Sequence, residues 1–151
     1  MSKITFQLVT PERRLMNEEV DSVTCPTIEG QITVLPKHEP LVATLQHGEL
    51  IVKNGSESQH IAVSGGFVEV RKDEVVILAD SAEHAHEIDV ERAQEAKKRA
   101  EESMKASRNL SEEERSIVLA IYNTNVVRLR VAQKAAHRSK KHMSDSGILK
   151  D

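Results

Sequence analysis

Aromatic rings are almost missing from this chain. Of 151 residues only Phe6, Phe67 and Tyr122 carry one, and tryptophan is absent. Aliphatic side chains must therefore fill any core. The stacking platforms on which single-stranded nucleic acids lie are lacking, which counts against RNA or DNA as the main partner. Cysteine is reduced to Cys25, which excludes an internal disulfide and a cysteine-based zinc site and fits a reducing compartment. No apolar run approaches membrane-spanning length. Met1-Ser2-Lys3-Ile4 has no apolar stretch of the secretory kind. Glycine and proline are absent between Glu83 and Gly147.

That last absence divides the chain. Before it, apolar and polar residues alternate and are cut by turns, which predicts short strands. After it, the pattern predicts two long helices. The expected class is α+β in two segregated parts, an N-terminal antiparallel β-sandwich followed by a C-terminal α-helical hairpin. The expected boundaries are 1–84 for the sandwich, 88–136 for the hairpin and 137–151 for a basic, disordered tail. Charge follows the same division. Residues 1–84 hold 7 basic and 13 acidic side chains, net −6; residues 85–151 hold 14 and 11, net +3. The helical part can respond to anionic partners, although two solvated surfaces of opposite bias explain most such splits.

Strands are expected at Ile4–Leu8, Val20–Cys25 closed by Pro26, Gln31–Leu35, Leu41–Leu45, Glu49–Lys53, Gln59–Val63, Phe67–Val70 and Val75–Ala79. Leu35 to Pro40 holds two prolines and reads as a rigid exposed loop. Asn54-Gly55 is a strong hairpin signal, and Ser64-Gly65-Gly66 reads as a break between strands. In the second part Asp89 is placed to cap a helix, with Ala93, Ala96, Ala100 and Met104 forming a narrow small-residue stripe. Ser111 and Glu114 make a capping box for the second helix. Its stretch Asn123–Val127 has poor helix propensity and reads as a place to bend or melt.

With these elements in order, the sequence resembles the epsilon subunit of the F-type ATP synthase over most of residues 1–136. The matching segments are Leu35-Pro36-x-His38-x-Pro40, Val63 to Val70, Val76 to Asp80, Ile88-Asp89-x-x-Arg92-Ala93, and Arg128 to Ala132. The resemblance implies a non-catalytic rotor subunit of a proton-translocating synthase, peripheral on the cytoplasmic face of the cell membrane. Its sandwich would touch the gamma subunit and the c-subunit ring, with Gln31, His38, Leu41 and Val42 at that rotor interface. Its hairpin would fold down, or extend to inhibit hydrolysis. Extended, it would bring Lys98, Arg99, Arg128, Arg130 and Lys134 to the catalytic alpha and beta subunits. No cofactor is required; ATP would be a weak regulatory ligand of the folded hairpin at Glu83, Ile88, Asp89, Arg92, Ala93 and Arg99. A plain capped helix with exposed charges accounts for the same residues. Relatives that sense ATP carry an arginine where this chain has Thr124. Family members often have glycine where it has Thr33 and Lys37.

Other chemistries find less support. No phosphate-loop pattern surrounds Gly65-Gly66. The histidines, among them His47, His60, His84 and His86, would need a carboxylate or a third ligand converging on them to hold a metal, and the sequence marks none. Neither Ser64 nor Cys25 has a recognisable base partner, so nucleophilic catalysis by a small β-fold enzyme is unsupported. The alternative function is a stand-alone helical-hairpin adaptor for a coiled-coil partner.

Overall fold

The computed structural model describes residues 2–106 and 109–145. They divide into two compact units, Met1–His84 and Ala85–Asp151.

The first unit is all strand: β1 (Ile4–Val9), β2 (Arg14–Val20), β3 (Ser22–Thr27), β4 (Gly30–Val34), β5 (Leu41–Thr44), β6 (Gly48–Asn54), β7 (Glu57–Arg71) and β8 (Glu74–His84). They pair in the order β2-β1-β8-β7-β6-β3-β4, with β5 also on β7. The 15-residue β7 makes this a sandwich. Its first half pairs with β6 and its second half with β5, while β8 follows it along both halves. The changeover falls at Gly65 and Gly66, at φ 68° and 113°, a region open to glycine. A Cβ on Gly66 would strike the Leu78 carbonyl and the backbone of Ala79. The two glycines therefore turn one strand through a corner and do not break it in two.

The core between the layers is aliphatic apart from Phe6, Met16 and Cys25, with Leu8, Leu50, Ile61 and Ile77 fully buried in it. Alternation supplies it: Ile4, Phe6 and Leu8 are buried while Thr5 and Gln7 are partly exposed.

Three further expectations are corrected. The sheet is not wholly antiparallel, because β1 runs parallel to β8, from Thr5 opposite Glu74 to Val9 opposite Leu78. No short turn joins these strands, so none forces them to oppose. Pro26 lies inside β3, opposite Gln31. Pairing with β6 ends at Thr24, so the missing N–H is not needed, and the Pro26 carbonyl accepts the Gln46 N–H at 3.0 Å. Finally, β2 is a strand that the alternation did not disclose.

The second unit holds a 3-10 turn (Ala85–Glu87), α1 (Val90–Ala106) and α2 (Glu112–Asp145), and α1 packs on α2. The expected caps form. Asp89 Oδ1 accepts the Arg92 N–H at 3.1 Å, and Ser111 Oγ accepts the Glu114 N–H at 3.1 Å. Helix α2 runs without a break through Asn123–Val127. Asn125 is buried; its Nδ2 donates to the Ile121 carbonyl at 2.7 Å and its Oδ1 accepts from Arg128 at 3.0 Å. Burial and these bonds outweigh a few tenths of a kcal/mol of poor propensity. Nor is the basic segment irregular from residue 137: α2 continues to Asp145. The rest of the expected tail, 146–151, lies outside the described residues.

Candidate functional site

Two groups of residues present themselves to partners, one in each unit. In the sheet unit the segment between β4 and β5 is fixed by its own bonds. His38 N–H donates to the Leu35 carbonyl at 3.1 Å, and His38 Nδ1 lies 2.7 Å from the Glu39 carbonyl oxygen. Lys37 is at φ 68°, a left-handed conformation that glycine adopts without strain. Its N–H donates to Asp73 Oδ1 at 3.1 Å, and the Asp73 carbonyl accepts the Thr5 N–H at 2.9 Å. One aspartate in the β7–β8 turn thus ties this loop to the first strand. Of the expected interface residues, Gln31 is exposed on β4 and His38 is half-buried in the loop. Val42 on β5 is 69% exposed. Leu41 is different: it packs partly against the core.

Beside Val42 lies a surface that the sequence reading missed. Phe67 and Leu78 face each other across β7 and β8 and are 56% and 55% exposed. Thr44 is opposite Phe67, and Val9 is opposite Leu78. An outward row of apolar side chains therefore crosses three strands. Its signal was the doubled apolar pairs Phe67-Val68 and Ile77-Leu78. Only one member of each pair can face the core, where Val68 and Ile77 lie.

In the helical unit Asp89 and Arg92 meet, Oδ2 to Nε 3.6 Å, with the Arg92 side chain 85% exposed. Ile88 and Ala93 are buried. Arg99, two turns along α1, is exposed. It lines a cleft of about 240 Å³ with Ala96, Ala100 and Ser103 of α1 and Val118 and Ile121 of α2. A guanidinium beside a small apolar cleft can hold an anionic group while the cleft takes an apolar one. Glu83 belongs to β8, in the other unit. Lys98, Arg130 and Lys134 are exposed and Arg128 is half-buried, bonded to Asn125. Lys97 Nζ stands 6.0 Å from the Tyr122 ring centre, at the edge of cation–π range.

The structure brings one unexpected pair together. His47 Nδ1 lies 2.9 Å from Ser64 Oγ, so Ser64 does have a histidine beside it. The register that sets Gly48 opposite Val63 does this, over a sequence separation that no motif marks. A serine–histidine contact is half of a nucleophilic site; the orienting group and oxyanion donors are the other half. His60 Nδ1 lies 2.9 Å from Glu49 Oε1, with both side chains buried. Among the described residues no group of three or more histidine, cysteine or acidic side chains could hold a metal ion. Among them, too, no helix is long and apolar enough to cross a membrane.

Comparison with known proteins gives a consistent result. Residues 3–85 match the family described as ATP synthase, Delta/Epsilon chain, beta-sandwich domain. Residues 86–121 match ATP synthase, Delta/Epsilon chain, long alpha-helix domain. The ATP synthase epsilon chain of Dehalococcoides mccartyi is 51% identical over 134 residues, covering 89% of this chain and 95% of the relative. That of Herpetosiphon aurantiacus is 46% identical over 136 residues, covering 89% and 98%. Among solved structures, a chain of the Euglena gracilis mitochondrial ATP synthase OSCP/F1/c-ring assembly superposes with a TM-score of 0.73 at 27% identity, covering 90% of this chain and 82% of that one. A chain of the Tetrahymena thermophila mitochondrial ATP synthase central stalk and c-ring matches in fold, with a TM-score of 0.59 at 15% identity over 87% and 97%.

Proposed function

This chain belongs to the ATP synthase delta/epsilon family as an epsilon chain, a non-catalytic subunit of the F-type synthase, and from that premise we propose how its two units work. The sheet unit clamps the central stalk. Its loop around His38, with Gln31 and Val42, meets the c-subunit ring, and the apolar row Val9, Leu78 and Phe67 lies against the gamma subunit. A contiguous exposed apolar patch rimmed by polar residues is what a protein partner covers. The assembly holds the subunit at the cytoplasmic face of the membrane as a peripheral component.

The helical unit is the bistable element. The only residues of α1 fully buried are Ala93 and Ala100, so little apolar area is lost when α1 leaves its neighbour. Extended, Lys98, Arg99, Arg130 and Lys134 meet acidic surfaces of the alpha and beta subunits, and hydrolytic rotation is resisted. Folded, Arg92 and Arg99 receive the phosphates of ATP, and Asp89 holds the Arg92 side chain in place. ATP shifts the balance only as far as it binds the folded state better.

The observation that carries the regulatory reading is the Arg92 guanidinium, at the surface beside a capping aspartate and unburied by any packing role. ATPase activity of the whole motor, with and without residues 86–151, tests it. Removal should raise hydrolysis; an unchanged rate would refute regulation by the hairpin. Titration of ATP into the isolated chain should shift the Arg92 and Arg99 amide signals, and silence at millimolar ATP would refute the ligand.

A further inference from the structure

The β6–β7 turn holds a chemically labile junction. It is built on Asn54-Gly55, with Gly55 exposed and at φ 65°. Glycine after asparagine leaves no Cβ to hinder attack of its amide nitrogen on the asparagine side chain. In that reaction the Gly55 nitrogen, having given its proton to solvent base, bonds to Cγ of Asn54. The Cγ–Nδ2 bond breaks, and ammonia leaves after taking a proton from water. Water then opens the succinimide at either carbonyl. The net change is one water consumed and one ammonia released, with aspartate or isoaspartate left at position 54.

The fold opposes the first step. The Gly55 N–H donates to Asp21 Oδ2 at 2.6 Å. Asp21 is held in place by its own N–H, which donates to the Lys53 carbonyl at 2.8 Å, and by Lys3 Nζ, 3.0 Å from Oδ1. Lys3 Nζ also donates to Asn54 Oδ1 at 2.6 Å. Removing the Gly55 proton would break a charge-assisted hydrogen bond and set a second negative charge beside the carboxylate. Lys3 alone acts the other way: an ammonium on Oδ1 makes Cγ more open to attack. The Gly55 N–H, and then Lys3, hold the Asp21 carboxyl below the ordinary carboxylate range, so the acceptor is ionised at neutral pH.

We propose that Asn54 is a deamidation site held in check by the Asp21 carboxylate, so that Asp21 sets the rate at which position 54 becomes aspartate or isoaspartate. The test ages the full chain at mildly alkaline pH. Intact mass follows the conversion of amide to acid, isoaspartyl methyltransferase labelling reports isoaspartate, and Asn54→Ser identifies the signal that belongs to this junction. Asp21→Ala should convert at least about threefold faster than wild type, a modest factor because the bond is exposed. Asp21→Asn should fall between, since its amide oxygen still accepts the N–H but carries no charge. Lys3→Ala should be no faster than Asp21→Asn. Wild-type rates in both Asp21 variants would overturn the proposal. So would a Lys3→Ala variant as fast as Asp21→Ala, which would assign the restraint to turn order and not to the carboxylate. If Asp21→Ala does not fold by circular dichroism, the near-isosteric Asp21→Asn decides alone.

Discussion

Burial pushes the Cys25 thiol up from 9.0 to about 12. The thiolate is excluded from the core, so the folded state prefers the protonated form more than the unfolded chain does. With the folded value raised, this contribution is fully present below about pH 9 and is lost as pH climbs toward 12. Wild type should lose stability over that range faster than Cys25→Val, by up to about 1.4 kcal/mol per pH unit. Parallel denaturation curves for the two proteins across the range would contradict this. Gly66 makes the opposite demand on space. Gly66→Ala must adopt φ 113° and press its Cβ onto the Leu78 carbonyl, which should cost about 2 kcal/mol or more in urea unfolding. The sequence showed a glycine pair; it did not show that the pair was a corner within one strand, because the partners that reveal this, β5 and β6, are distant in the chain.

Elements were legible where their signals are local. Asp89 and Ser111 cap within three residues of themselves, and β1 alternates cleanly. Strand β2 was not legible, since only Met16 and Val20 are buried in it and three exposed residues separate them. Asn123–Val127 is helical despite its poor propensity, which describes an isolated helix, whereas Asn125 is buried and bonded along its own turn. In the candidate site the sequence reading gave Asp89 as a cap and did not give its ion pair with Arg92, although the two stand at i,i+3; the Phe67–Leu78 surface required the register of three strands. The loop before β5 allows a prediction at this scale. Asp73→Ala removes the acceptor for the Lys37 N–H, so the Lys37 amide should exchange with solvent faster than in wild type. Lys37→Gly relieves the left-handed strain at φ 68° and should stabilise the chain by about 1 kcal/mol. A destabilised Lys37→Gly would show that the Lys37 side chain matters more than its backbone.

At the scale of the whole molecule, every residue of the main core cluster lies between Ile4 and Ala82. Residues 1–84 should therefore unfold cooperatively on their own, with a thermal transition and dispersed amide signals. A fragment that bound hydrophobic dyes and melted without a transition would show that the helical unit is required for the sheet. The partition itself was readable from where glycine and proline stop. The end of the second helix was not, because a basic composition looks the same in a solvated helix as in a coil.

The parallel pairing of β1 with β8 has a consequence for the order in which this protein can be made. Strand β1 leaves the ribosome early, yet the neighbour that covers its second edge, β8, is the last strand of the sheet. Until residue 74 and those after it emerge, the nascent chain carries an unsealed row of amide and carbonyl groups along Thr5 to Val9, a template for any extended segment nearby. Synthesis that stalls before β8 would release a fragment with this edge of β1 open, whereas stalling after it would release one in which the edge is paired.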